Sequence, residues 1–241
     1  MRRYAESRAA AADARQTVAL AIARLAYVCM PAAVVMAFLW APAAEILGES
    51  SRILYFHVPV AWVAVLAFLV SGVAAGIYLA DKKKAYRLLE EKFHNSAEIG
   101  MVFCVLATVT GSIWARLMWG SYWNWDPRET SIVILLLIYT AYFSLRAALA
   151  GNPNRGRISA SYLVFAMTTM PFFVFVVPRI YPSLHPDPII NPAMKLHLDG
   201  DMRLTLLVSV IAFTLLYFYI FILKNRVSGL RIRIEEASHE E

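Results

Sequence analysis

The sequence predicts an all-α integral membrane protein: a six-transmembrane-helix bundle with both termini on one side and a tryptophan-rich segment on the other. Three observations carry that prediction. The 241 residues are 60% hydrophobic and 17% charged, against about 45–50% and about 25% in soluble domains. Six apolar runs, residues 18–40, 58–80, 97–116, 130–149, 158–178 and 204–223, are each long enough to cross a ~30 Å hydrocarbon core as a helix. The basic residues are unevenly placed: of 23 lysines and arginines, seventeen lie in segments on one side of this topology and six on the other. That bias places the seventeen, and both termini, in the cytoplasm. Helices are the only reading, because a backbone in lipid must satisfy its own hydrogen bonds and the runs lack the period-2 alternation of barrel strands. Residues 1–241 form one membrane domain, with outer loops at 41–57, 117–129 and 179–203.

The first run follows Arg2, Arg3, Arg8 and Arg15 and shows no clear small-residue cleavage site, so it reads as a retained helix rather than a signal peptide. The second opens at Tyr55-Phe56-His57-Val58-Pro59 and carries Gly72 and Gly76, a small-residue face for helix packing. Cys29 and Cys104 fall inside apolar runs with no C-x-x-C spacing, which reads as packing rather than redox chemistry or covalent haem attachment. Residues 81–97 read as a solvated charge run containing His94. The fourth helix has a written start: Asp126 as N-cap, Pro127 at the first helical position and Glu129 at the third, a capping box with aspartate in place of serine. The tail from Lys224 to Glu241 turns from basic to acidic and reads as a short amphipathic or disordered end.

Chemistry concentrates on the outer side. The segment Trp119-Gly120-Ser121-Tyr122-Trp123-Asn124-Trp125-Asp126-Pro127-Arg128-Glu129-Thr130 holds three of the six tryptophans within seven residues. All six tryptophans fall at or near outer helix ends. An aromatic belt explains such residues singly but decorates both interfaces, so the cluster reads as a flat platform for a planar, apolar ligand. Three histidines, His57, His185 and His197, lie in outer loops, and an ionisable ring against the apolar boundary calls for a partner. Two imidazoles from two loops suit the axial positions of haem iron. Arg128, with Arg52 and Arg179 in reserve, suits the propionates, because guanidinium matches carboxylate geometry. Zinc is the competing metal. It wants about four ligands, which the three histidines and Asp187 could supply, but that account leaves the tryptophans unused.

The pattern Trp119-Gly120-x-x-Trp123-x-Trp125-Asp126-x-Arg128-x-Thr130 resembles the tryptophan-rich "WWD" signature of haem-handling proteins in cytochrome c-type biogenesis. With six helices and a histidine in the first and third outer loops, the whole chain looks like the CcmC (haem exporter protein C) family. The larger CcmF and CcsA-type relatives have more spanning helices. The resemblance implies that His57 and His185 are axial ligands of non-covalent haem b, and that Trp119, Gly120, Trp123, Trp125, Asp126 and Arg128 form the platform. It implies a site facing the periplasm in the bacterial cytoplasmic (inner) membrane, and delivery of haem to the chaperone CcmE with the ABC-transporter partners CcmA and CcmB and the small CcmD. No G-x-x-x-x-G-K-[ST] occurs, so ATP use would belong to a partner and the chain reads as a carrier, not an enzyme. The alternatives are a b-haem membrane oxidoreductase subunit, disfavoured by the lack of mid-helix histidines, a solute transporter, and a non-haem membrane scaffold.

Overall fold

The computed structural model describes residues 2–45, 47–81, 87–185 and 198–238. It is all-helical, and no strand occurs among the described residues. Among the described residues six helices are long and apolar enough to cross a membrane. They are α1 (Arg2–Val35), α2 (Leu54–Ala80), α3 (Arg87–Trp119), α4 (Pro127–Ala148), α5 (Arg155–Pro171) and α7 (Gly200–Ser238); the short α6 (Val177–Ile180) ends the fifth span. α1 and α5 each run into a five-residue π turn, Met36–Trp40 and Phe172–Val176. Pro171 at the seam has no N–H, so the i→i−4 ladder loses a donor where α5 changes its winding.

α2 is the central helix, packed on α3, α5 and α7, while α1 lies along α7. Small residues set the spacing. A Cβ on Gly72 would collide with Met167 of α5, and one on Gly100 would come within 2.5 Å of the Phe68 ring. Phe68 in turn stacks on Tyr139 of α4, centroids 3.5 Å apart. The expected packing face at Gly72 therefore meets α5 inside the bundle.

Two expected loops are helical in part, and the tail is helical almost throughout. Segment 41–57 is not one loop: a 3₁₀ turn, Glu49–Ile53, feeds directly into α2, so His57 stands in the first turn of a helix. The charge run before residue 97 is helical from Arg87, and the tail continues α7 to Ser238. At ~1.5 Å per residue, the 39 residues of α7 reach about 58 Å, well beyond the hydrocarbon. Cross-helix ion pairs hold these polar extensions together: Arg231–Glu91 at 2.8 Å, Lys224–Glu98 at 2.5 Å and Arg87–Glu235 at 2.5 Å. His94 is likewise not a solvated surface residue. Its Nδ1 meets the Tyr142 hydroxyl at 3.1 Å and its Nε2 faces Glu98 at 3.4 Å.

Candidate functional site: two imidazoles at the tryptophan-rich end

The start of α2, the end of α3, the start of α4 and the end of the fifth span converge at the end of the bundle opposite the basic residues. α3 stops at Gly120, whose φ of +76° is cheap only for glycine. Seven residues later, at Pro127, the chain enters α4. Glu129 Oε2 accepts from the amides of Asn124, at 2.7 Å, and Asp126, at 3.2 Å. Asp126 Oδ1 accepts from Arg128 N–H at 2.9 Å. The capping box read from the sequence is present in full.

Asp126 does a second job that the cap does not require. Its side chain is 1% exposed. It accepts from the Leu184 amide at 2.7 Å, from the Ser183 hydroxyl at 2.9 and 3.1 Å, and it faces His185 Nδ1 at 2.9 Å. One carboxylate thus joins the start of α4 to the loop after α6. Burial pushes this carboxyl up, but the amides of Arg128 and Leu184, the Ser183 hydroxyl and the His185 charge outweigh it and hold the acid below its usual range. His185 itself is shifted downward: burial and the nearby Arg128 guanidinium disfavour the imidazolium more than Asp126 favours it. A neutral ring whose Nδ1 points at a carboxylate carries its proton on Nδ1 and leaves the Nε2 lone pair available.

His57 is oriented by the same logic from another element. Its Nδ1 lies 2.9 Å from Thr110 Oγ1 on α3. The Thr110 hydroxyl donates to the carbonyls of Leu106, at 2.8 Å, and Ala107, at 3.2 Å. With its own hydrogen committed to either carbonyl, Oγ1 accepts from Nδ1–H, and His57 too is left with a free Nε2. The ring lies against Gly111, where an added Cβ would sit 3.0 Å from His57 Cε1. Among the described residues no side-chain partner lies at either Nε2, and the Ala107 backbone on α3 is a further hydrogen-bond partner of the His57 ring. Both rings address α3, His57 at Thr110 and Gly111, and His185 at Trp114 and Trp119. From 110 to 114 is one helical turn, ~5–6 Å of rise, so the two imidazoles stand at successive levels of one helix.

The tryptophans divide into two pairs. Trp119 meets the His185 ring edge-on at 4.9 Å, and Trp114 lies 5.9 Å from it and 5.1 Å from Trp119. Trp123 and Trp125 face each other at 5.8 Å with planes at 90°. The indoles therefore do not form one flat shelf. Edge-to-face contact suits their quadrupoles. Trp125 is 71% exposed and adopts a φ of +57°, a left-handed conformation costly for a bulky residue.

The candidate arginines separate as well. Arg128 lies close enough to bias the protonation of His185. Arg52 is engaged elsewhere: Nε and Nη2 bind Glu49 at 2.5 and 3.4 Å, and Nη1 binds the Ala37 and Ala41 carbonyls at 2.6 and 3.2 Å. It caps the orphan carbonyls at the end of the first span. Arg179 is exposed, donates to the Phe175 carbonyl and lies over the Phe175 ring. His197 and the segment Pro186–Asp187–Pro188 lie outside the described residues. Among the described residues no group of three or more His, Cys, Asp or Glu side chains could hold a metal ion; two of the four ligands of the zinc alternative, Asp187 and His197, lie outside those residues.

With this geometry in view, the comparisons are decisive. The sequence model of the family described as Heme exporter protein C matches residues 1–240. The chain belongs to the haem exporter protein C family. It is 34% identical to the Heme exporter protein C of Escherichia coli K12, over 74% of this chain and 70% of the relative. Identity to that of Bradyrhizobium diazoefficiens is 32%, over 78% and 70%. The Rhodobacter capsulatus protein is 28% identical, over 86% and 84%. Family membership makes this a multi-pass membrane protein of haem export and cytochrome c biogenesis. Thr110, Trp114 and Ser183 were not singled out from the sequence for this site. Trp114 was findable, since it lies five residues before Trp119 on the same helix.

Proposed function

We propose that this protein binds haem b non-covalently at the tryptophan-rich end of the bundle, with His57 and His185 as axial ligands, and hands it to the chaperone CcmE. CcmA, CcmB and CcmD are the partners that the family resemblance suggests. The observation that carries this reading is the pair of Nδ1 contacts, His57 with a threonine hydroxyl at 2.9 Å and His185 with a carboxylate at 2.9 Å, from which it follows that both rings offer Nε2. That donor set suits a metal with two open axial positions. Haem is the cargo; the chain supplies binding and orientation rather than bond chemistry of its own. Trp119 and Trp114 brace His185, Trp123 and Trp125 offer apolar faces, and Arg128 is the propionate partner best placed by charge. The basic residues gathered at the opposite end support an outer, periplasmic position for this site, with the chain in a bacterial inner membrane as the family resemblance suggests.

The test is a haem titration of the purified, haem-stripped protein. A bis-imidazole spectrum is expected, lost or changed in both His57→Ala and His185→Ala and retained in His197→Ala. A wild-type spectrum in either of the first two variants refutes that residue as a ligand.

A further inference from the structure

The other end of the bundle carries a site that haem binding does not use. A cleft of about 460 Å³ opens where α3, α4, α5 and the extension of α7 meet, within the ~300–1,000 Å³ range of small-ligand sites. Four cations line it, Arg146, Arg155, Lys224 and Arg231, against two carboxylates, Glu91 and Glu98. Most of this charge is internally matched. Arg231 pairs with Glu91 at 2.8 Å, Lys224 with Glu98 at 2.5 Å, and Arg146 with Glu90 at 2.8 Å. Arg155 is the exception. Its Nε donates to the Arg146 carbonyl at 3.2 Å, and among the described residues its guanidinium meets no carboxylate. A second observation points the same way. Arg146 is 2% exposed and its Nε has no hydrogen-bond partner, although its Nη1 and Nη2 face Glu90 at 2.8 Å and Glu91 at 3.8 Å; one buried donor of the cluster is left unmatched.

We infer that this cleft binds a phosphate group through Arg155 and its neighbours Arg146, Lys224 and Arg231. The one cation left over after Glu90, Glu91 and Glu98 are paired, its unmatched guanidinium and a position between spanning helices at the basic end fit the headgroup of an anionic phospholipid, since basic pockets there take acidic lipid headgroups. Inorganic phosphate shares the chemistry. Zwitterionic lipid does not, because its own ammonium competes with the arginines.

The full chain, delipidated in detergent, is titrated with short-chain phosphatidylglycerol, with short-chain phosphatidylcholine and with inorganic phosphate, and the melting temperature is followed. Phosphatidylglycerol is expected to stabilise at concentrations where phosphatidylcholine does not. Arg155→Gln should shift its midpoint to about five-fold higher concentration, the equivalent of ~1 kcal/mol per basic residue at an anionic headgroup, and Arg155→Lys should largely restore it. Arg157, exposed two residues away, is the control: Arg157→Gln should leave the midpoint in place. If phosphate alone reproduces the Arg155-dependent shift, the site is a free-anion site of the same chemistry. The inference fails if both lipids stabilise equally, or if Arg155→Gln and Arg157→Gln shift the midpoint alike, since that is diffuse surface charge. Should Arg155→Gln not fold, the same comparison of lipids is made on Arg231→Gln, where an unchanged midpoint overturns the proposal.

Discussion

Replacing Asp126 by asparagine tests whether the carboxylate positions His185 or merely starts α4. Asparagine caps a helix about as well as aspartate, so a purely capping role predicts almost no effect. The structure predicts otherwise. Oδ1 faces Arg128 N–H and His185 Nδ1, while Oδ2 faces Leu184 N–H, with Ser183 bridging both oxygens. Whichever way the amide is turned, its NH₂ is directed at a buried N–H donor. Turned outward it opposes Leu184; turned inward it opposes Arg128 and the His185 ring. A buried donor left unmatched costs about 1–3 kcal/mol. If that cost falls on docking the His185 loop, haem affinity drops about 5- to 150-fold. The assay is a haem titration by Soret absorbance, with circular dichroism to check that α4 remains. Wild-type affinity in Asp126→Asn, with helix content intact, refutes the positioning role. So does an equal loss in Glu129→Gln, which disturbs the other half of the capping box without touching His185.

Thr110→Val keeps the shape of the side chain but removes the acceptor for His57 Nδ1–H. Losses of such supporting contacts run to about 10–100-fold in metal affinity, so a drop of that order is expected in the same titration, with Thr110→Ser near wild type. Trp125→Gly relieves a left-handed tryptophan worth about 1–2 kcal/mol of strain. Its melting temperature should hold or rise while haem retention on a desalting column weakens; a lower melting temperature with unchanged retention would mean the indole is structural. Acidification should destabilise the haem-free protein as pH falls from about 6.5, because the unfolded chain then takes up a proton that folded His185, its pKa lowered, resists. His185→Ala should flatten that part of a stability-versus-pH series. Arg128→Ala should weaken binding of haem but not of its dimethyl ester, whereas Arg52→Ala should lower the melting temperature and leave that discrimination alone, since Arg52 caps carbonyls at the end of the first span.

How much of this was legible in the chain depends on the range of the interaction. The six spans follow from apolar runs, and the capping box from four consecutive residues, because each is a local pattern. The polar helix extensions were missed for the opposite reason. Residues 87–96 and 224–238 are too charged to count as spans, and they are anchored by partners more than a hundred residues away, as in Arg231 with Glu91. Counted from its first long apolar stretch the second helix leaves His57 in a loop, while the chain begins α2 four residues earlier.

The site shows the same division at finer grain. Both histidines and the tryptophan cluster were marked by unusual residue types, which stand out in any sequence. What makes them act together is carried by ordinary residues. Thr110 looks like one more helix threonine bonded to its own backbone, and it is that; only the approach of α2 turns its remaining lone pair toward His57. Asp126 is a sound N-cap by sequence, and no local pattern announces that its carboxylate also meets a loop 57 residues on. The capping role and the positioning role use different lone pairs of one buried group, so neither excludes the other. The sequence question, cap or site, therefore had two true answers, and the distances to Arg128 and to His185, both 2.9 Å, are what make it so.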